Sequence, residues 1–303
     1  MESRFEVANH VVEEVPHEVT ALYERLIGDE ATRPTDATLL AAQLAEVEAT
    51  AINGIAAIEC DVWPRILAAG VTDPGLWRRD LHPPDYVSLC DSARLAELVG
   101  LNVVDAFPAR DVTLDGRGGP LDALPLWLLL HQIQMNRLVV QLEPIARTLL
   151  LPGSRDESGA NHVEINTFEN AAAITAWLGN CSGLTEQLPA STETTDEQGP
   201  LEIDELLLLG PDTAAVVPPS LSHIRILDEV AVGISAEALP AASAALLAML
   251  HLDQVPANLP LLTGATAPRV LGRLTPGNAH AWNRLLRDLA FARPLITPLR
   301  AAV

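Results

Sequence analysis

"VVDAFPARDVTLDGRGGPL", residues 103–121, runs β-forming and small residues into an Arg110-Asp111 pair, then into a loop carrying Asp115, Gly116, Gly118 and Gly119. A loop that is acidic and glycine-rich at once suits a ligand with hydroxyls or a metal-bound phosphate, because glycine lets backbone N–H groups come close. It equally suits a plain tight turn. Upstream, residues 92–99 read as a short helix ended by Gly100, and residues 101–104 as a buried strand. Downstream, residues 120–134 read as an apolar helix with Pro120 in its first turn.

The rest of the chain supports an α/β class. Residues 16–27 and 36–58 read as helices; in the second, Leu39, Leu40, Leu44, Val47, Ala51 and Ile55 recur at helical spacing, with Thr35 or Asp36 as N-cap. Residues 63–69 read as a short strand or turn, and residues 81–91 as a strand. Residues 137–142 and 147–151 look like paired strands bending at Glu143 and Pro144. Strands at 163–165 and in "IDELLLLG", and helices at 171–178, 240–251 and 279–292, complete the alternation. In the last helix Trp282, Leu285, Leu286, Leu289 and Phe291 share one face, which either packs back on the body or docks a partner.

Composition removes several function classes. With 303 residues, 49% of them hydrophobic, the chain can fill one large core or two. Its net charge of −21 opposes nucleic acid and anionic membrane surfaces, which need a basic face. All 19 basic residues are arginine, so Schiff-base, P-loop and general-base lysines are excluded. Cys60, Cys90 and Cys181 are widely spaced and read as reduced thiols. The acidic N-terminus has no apolar signal region, and the longest apolar run falls far short of the roughly 20 residues a membrane span needs. A cytoplasmic protein is expected. His131, His162, His223, His251 and His280 show no metal-ligand spacing, His82 reads as a structural hydrogen-bonder, and Ser182 lies in no nucleophile elbow.

Residues 81–121 resemble a segment of the anhydro-N-acetylmuramic acid kinases, in which a proline-rich strand leads to a "GDPALLAELTG" helix, a buried strand and an "ARDVAAGGQGAPL" loop. The matching residues are Pro83-Pro84, Asp91, Leu95-Ala96-Glu97-Leu98, Gly100, Ala109-Arg110-Asp111-Val112, Gly118 and Pro120-Leu121. A second stretch, "VPANLPLLTGATAPRVLGRLTPG", is similar to that family's "PGNLPSVTGA…VLG…PG" ending, through Asn258-Leu259-Pro260, Thr263-Gly264-Ala265 and Val270-Leu271-Gly272. The resemblance implies a two-lobed sugar-kinase/Hsp70/actin-like (RNase H-like) fold, with mixed sheets flanked by helices. Residues 1–135 would form an N-terminal lobe lacking the first phosphate hairpin. Residues 136–277 would form a C-terminal lobe with an acidic linker near 188–200, and residues 278–303 an extra helix.

What the resemblance implies about chemistry is divided. Phosphoryl transfer is mostly positioning and charge neutralisation. The family's GTSxDG hairpin has no counterpart here. Its NIGGIAN turn falls on "QLEPIAR", with Glu143 and Pro144 in place of the glycines; a carboxylate repels phosphate and proline removes a donor. Its DTGPGN base falls on Asn166, which cannot accept a proton from water. Its adenosine turn keeps only Gly210, followed by Pro211 and Asp212. By contrast Arg110, Asp111, Gly118 and Gly119 match the substrate-side loop. They either retain a sugar pocket, or Arg110 and Asp111 pair to fix the corner while the glycines make the turn. The resulting expectation is a kinase-like protein without catalysis or cofactor, serving as a binding, regulatory or partner subunit. An amino sugar is its expected ligand, and a second copy or an intact kinase its expected partner. The alternative is an active ATP- and magnesium-dependent kinase that makes the 6-phosphate of 1,6-anhydro-N-acetylmuramic acid in cell-wall recycling, with Asp111, Asp115 or Glu143 replacing the lost base.

Overall fold

Asn102 to Asp105 are buried throughout, and the strand they form organises one half of the chain. The computed structural model describes residues 5, 7–28, 33–61, 63–142, 145–153, 163–180, 203–221 and 223–291. In chain order these begin with α1 (His17–Ile27), α2 (Pro34–Ile58), β1 (Ala68–Gly70), β2 (Leu76–Arg78) and β3 (Asp85–Val87). Next come α3 (Ser92–Val99), β4 (Asn102–Asp105), α4 (Pro108–Val112), α5 (Ala123–Leu130), β5 (Arg137–Gln141), β6 (Arg147–Leu151) and β7 (Glu164–Thr167). The last are α6 (Ala171–Asn180), β8 (Glu205–Leu209), β9 (Arg225–Leu227), α7 (Glu229–Val232), α8 (Leu239–Leu252), α9 (Pro260–Thr263), β10 (Arg273–Thr275) and α10 (Ala279–Phe291). The fold is mixed α/β, with sheets flanked by helices. Among the described residues no helix is long and apolar enough to cross a membrane.

The chain divides into two compact units, and the division is not linear. The described residues of 7–125 group with those of 240–303, and the described residues of 126–239 form the second unit. Sequence reading expected segments 1–135, 136–277 and 278–303; in the fold β10 returns to lie antiparallel on β4.

In the first unit β1 runs parallel to β4 on one side and β10 antiparallel on the other. Against this sheet α2 and α3 bury Ala45, Ala49, Leu95, Ala96 and Val99 with Val103. Capping explains where α3 begins and ends: the Asp91 carboxylate accepts the Arg94 N–H, and Gly100 closes the helix at φ 69°. The start of α2 lies earlier than expected, because Pro34 occupies its first turn and Asp36 reaches back to the Arg33 N–H at 2.9 Å. Asn102 ties three segments together. Its amide nitrogen donates to the Leu67 and Ala281 carbonyls, and its oxygen accepts the Gly277 N–H. Through Ala281 and Leu285, α10 packs back on this unit, but Leu286, Leu289 and Phe291 stay exposed, so the apolar stripe read from sequence is only partly buried.

The second unit holds a five-stranded sheet in the order β7-β6-β5-β8-β9. β5 and β6 pair antiparallel as expected, while β8 joins β5 in parallel and β9 joins β8 in parallel. Every residue of β5 and β8 is buried, as leucine- and valine-rich runs covered on both faces demand. Ile174 and Leu178 of α6 pack on Leu138, Leu150, Leu206 and Leu208. The apolar helix expected to end at 134 stops at Leu130, whose carbonyl accepts from Arg137.

Glu205 accepts both Nε and a terminal nitrogen of buried Arg137, and on its other oxygen accepts from exposed Arg225. Removing one member of a buried pair strands a charge, whereas an exposed partner contributes little. Glu205→Ala is therefore expected to cost about 3–5 kcal/mol in denaturant unfolding, and Arg225→Ala under about 1 kcal/mol. Equal losses would overturn that ranking.

Candidate functional site

β4 ends in Asp105, which is fully buried. Arg273, opening β10, meets it with two hydrogen bonds, Nε to Oδ1 at 3.1 Å and a terminal nitrogen to Oδ2 at 2.5 Å. Burial pushes the Asp105 carboxyl above its ordinary range, and Arg273 opposes that rise. The backbone then reverses at Ala106, φ 52°. This left-handed conformation costs a non-glycine residue roughly 1 kcal/mol. The reversal starts α4, with Pro108 in the first turn and Arg110 and Asp111 side by side near its end.

Asp111 answers the question raised by the glycine loop. Its carboxylate is fully buried, with Oδ2 accepting the Gly118 N–H and Oδ1 accepting the Asn258 side-chain amide, both at 2.9 Å. Its carbonyl takes the Leu114 and Gly116 N–H groups. A Cβ on Gly116 would lie 2.2 Å from the Asp111 carboxylate, and one on Gly118, at φ 72°, would lie 2.5 Å from the Trp77 ring. What the loop wraps is therefore its own aspartate. Asn258 in turn accepts the Arg269 N–H, and Arg117 donates to the Thr263 and Leu262 carbonyls. The two stretches that carried the family resemblance are thus joined at Asp111 and Asn258. The ion pair allowed between Arg110 and Asp111 does not form, because neighbours on a helix point apart. Asp115 sits exposed on the turn at φ 64°, and Gly119 is half-buried behind it.

Arg110 faces a different space. With Ala106, Ala109, His251, Gly272, Arg273 and Leu274 it lines an open hollow of about 480 Å³ at the end of β4. Its guanidinium is exposed and no described residue engages it. His251 places Nδ1 2.6 Å from the Leu271 carbonyl. A carbonyl only accepts, so Nδ1 carries the proton. Sequence reading missed Arg273 and His251. The available signal was a buried-strand aspartate in one motif and an arginine immediately after Val270-Leu271-Gly272 in the other.

The first unit also gathers acidic groups that no motif announced. The Asp73 carboxylate accepts from the Tyr86 hydroxyl at 2.7 Å and from the Leu89 N–H. The Ser88 hydroxyl lies 3.5 Å from Asp105, and the Cys90 thiol faces Glu48 at 3.9 Å. Burial, then the charges of Asp73 and Asp105, lift the Glu48 carboxyl to about 8. Burial, then the charges of Glu48, Asp105 and Asp73, push the Cys90 thiol up as well. Among the described residues no group of three His, Cys, Asp or Glu is placed to hold a metal ion.

The second unit carries the positions matched to the phosphate side. Asn166 is a ladder residue of β7, opposite Thr148. Past β8, Gly210 turns at φ 95°, Pro211 follows, and Asp212 continues the turn at φ 58°. The Gly210 and Ala236 N–H groups both donate to one oxygen of Glu229, at 2.5 and 3.1 Å, and the Thr213 hydroxyl donates to the Gly210 carbonyl. Glu143 and Pro144, like Cys181 and the acidic stretch at 188–200, lie outside the described residues.

Two outcomes follow for stability. Asp111→Ala leaves a buried N–H and a buried amide without their charged acceptor, so about 3 kcal/mol should be lost. Arg110→Ala should change stability by no more than about 0.5 kcal/mol; a similar loss in both variants would restore the ion pair. Glu48 governs a pH dependence. Its folded pKa of about 8 lies above the ordinary 4.5, so the folded chain keeps a proton that the unfolded chain has released. Stability falls as pH rises between those values and levels off above them. Glu48→Gln should flatten that decline and melt higher than the parent at alkaline pH, and parallel melting curves across pH would refute the assignment.

The family model for anhydro-N-acetylmuramic acid kinase matches residues 214–277, from the turn beyond β8 through α8 and α9 to the end of β10. An anhydro-N-acetylmuramic acid kinase of Bordetella petrii is 27% identical over 313 residues, a span covering 79% of this chain and 81% of that protein. Together with the Asp111–Asn258 junction of the two motif stretches, these matches relate the chain to the anhydro-N-acetylmuramic acid kinase family.

Proposed function

We propose that this chain is a non-phosphorylating relative of the anhydro-N-acetylmuramic acid kinases, a cytoplasmic binding protein that acts as a regulatory or partner subunit and uses neither ATP nor magnesium. One observation carries the reading. At the turn matched to the adenosine-binding segment, Glu229 already accepts the Gly210 N–H, and with the same oxygen the N–H of Ala236. A nucleotide would have to displace a carboxylate, and Pro211 offers no N–H in compensation. Asp212 adds a negative charge beside the same turn, which disfavours phosphate further. Asn166, at the position matched to the base, has no protonation chemistry to offer near neutral pH.

The substrate-side corner is the better-kept half. Arg110, Asp111, Gly118 and Gly119 sit on a loop held from within by Asp111, which leaves Arg110 turned to solvent beside the hollow. A corner fixed in this way holds a ligand-facing arginine without help from nucleotide. The rival reading, an ATP-dependent kinase of 1,6-anhydro-N-acetylmuramic acid, has the name of the Bordetella petrii relative in its favour. That function would need Glu229 to leave the turn.

Thermal-shift titrations of the full chain with Mg·ATP and, separately, with anhydro-N-acetylmuramic acid separate the readings. A ligand at 100 times its Kd adds about 2.7 kcal/mol to the folded state, an easily measured rise in melting midpoint. The expected outcome is a shift with the sugar and none with Mg·ATP. A nucleotide-dependent shift, or phosphorylated sugar in a product assay, would defeat the proposal in favour of the kinase.

A further inference from the structure

Beyond the loss of nucleotide contacts, the hollow at the end of β4 has a chemistry of its own, and it runs against the charge of the whole molecule. In a chain of net charge −21, three nitrogen-bearing side chains from three elements converge there: Arg110 of α4, His251 of α8 and Arg273 of β10. They differ in what they have left to give. Arg273 commits Nε and one terminal nitrogen to Asp105, so its other terminal nitrogen keeps both of its N–H groups. Arg110 keeps all five of its donors, because no described residue engages it. His251 spends Nδ1 on the Leu271 carbonyl, and in the neutral ring this makes Nε2 an acceptor.

The backbone around these groups is arranged to expose them. Ala106, a wall residue, is held in the left-handed region, and this reversal sets α4 across the end of β4. Strain of this kind in a non-glycine residue persists where the surroundings enforce it, and it concentrates around binding sites. Gly272 forms another part of the wall at φ 91°, where a Cβ would crowd the Phe107 ring at 3.0 Å. The wall there is bare backbone. A space of about 480 Å³ falls within the range of small-molecule sites.

We propose that this hollow is a binding site for a small oxyanion bearing a neighbouring hydroxyl, a hydroxy acid or a phosphate monoester. The free fork of Arg110 grips the oxyanion, Arg273 supplies a second donor from its uncommitted nitrogen, and His251 Nε2 accepts the hydroxyl. Asp105 keeps Arg273 extended and cancels its charge, so Arg110 alone carries the uncompensated positive charge. The proposal rests on the reading above that the Arg110 corner is the part of the chain that binds, and it names the chemistry bound.

Isothermal titration of the full chain at low ionic strength tests it, with inorganic phosphate, L-lactate and acetate as probes and sodium chloride holding ionic strength constant. Phosphate or lactate should bind, and acetate, which lacks the hydroxyl, more weakly. Arg110→Gln should weaken binding by about tenfold or more, the loss expected for a charge-assisted two-point contact, with an unchanged melting midpoint. His251→Gln should narrow the gap between lactate and acetate. Binding of phosphate alone assigns a phosphate monoester, and binding of lactate alone a hydroxy acid. No binding of either, or equal binding by Arg110→Gln, would overturn the proposal. Running Mg·ATP on the same two proteins keeps the hypotheses apart. Nucleotide binding indifferent to Arg110→Gln would defeat the non-phosphorylating reading and leave the oxyanion site standing.

Discussion

A single buried carboxylate holds together the corner where α4 meets the glycine loop. Asp111 is inaccessible to solvent, and its two oxygens bind a backbone N–H from the glycine loop and a side-chain amide from the segment before α9. A buried charge is tolerated only when its hydrogen-bonding capacity is filled, so each of these donors has to be in place for the others to be. Gly116 and Gly118 are glycines because the loop must close over the carboxylate and under Trp77 with no room for a Cβ. Asn258 is then fixed by its own bonds to Ala267 and Arg269. Residues 147 positions apart become one unit through this contact, which explains how two separated motifs keep their form together.

Much of the fold was legible because its signals are local. The α3 cap, the Gly100 stop, the apolar run of β8 and the β5–β6 pair follow from spacing, capping and β-propensity within ten residues. The pairing of β4 with β10 was not legible, since a three-residue strand has too little periodicity to announce itself and its partner lies far away in sequence. In α10, helical spacing gave an amphipathic segment but could not say how much of its apolar face is covered: Leu285 is buried and Trp282 half-buried, while Leu286, Leu289 and Phe291 are exposed.

The site was half legible. Motif likeness pointed to Arg110 and Asp111, but their adjacency suggested an ion pair that helix geometry forbids, and their roles proved separate: one builds the corner and the other faces solvent. His251 and Glu229 left no trace in motif terms, and Arg273 left only its place directly after Val270-Leu271-Gly272. Each acts through a partner at a distance in sequence, Asp105 for Arg273, Leu271 for His251 and the Gly210 turn for Glu229.

Those distant partners share a pattern that bears on function. The chain has 40 acidic residues against 19 arginines, and it satisfies turn and helix-end N–H groups with its own carboxylates: Asp36 on Arg33, Asp73 on Leu89, Asp91 on Arg94, Asp111 on Gly118, Asp228 on Ala231 and Glu229 on Gly210 and Ala236. Backbone N–H groups at turns are what a phosphate ligand ordinarily uses. Where a resident carboxylate holds them, an incoming anion gains only the difference between two similar interactions, while it also meets the repulsion of the displaced charge. Anion recognition in such a chain has to come from side-chain donors that no carboxylate has claimed. Arg110 is such a donor in the first unit, and the hollow beside it holds two further nitrogens in reserve. Where Glu229 already fills the Gly210 turn, Arg110 in the first unit still offers a negative ligand an uncontested positive charge.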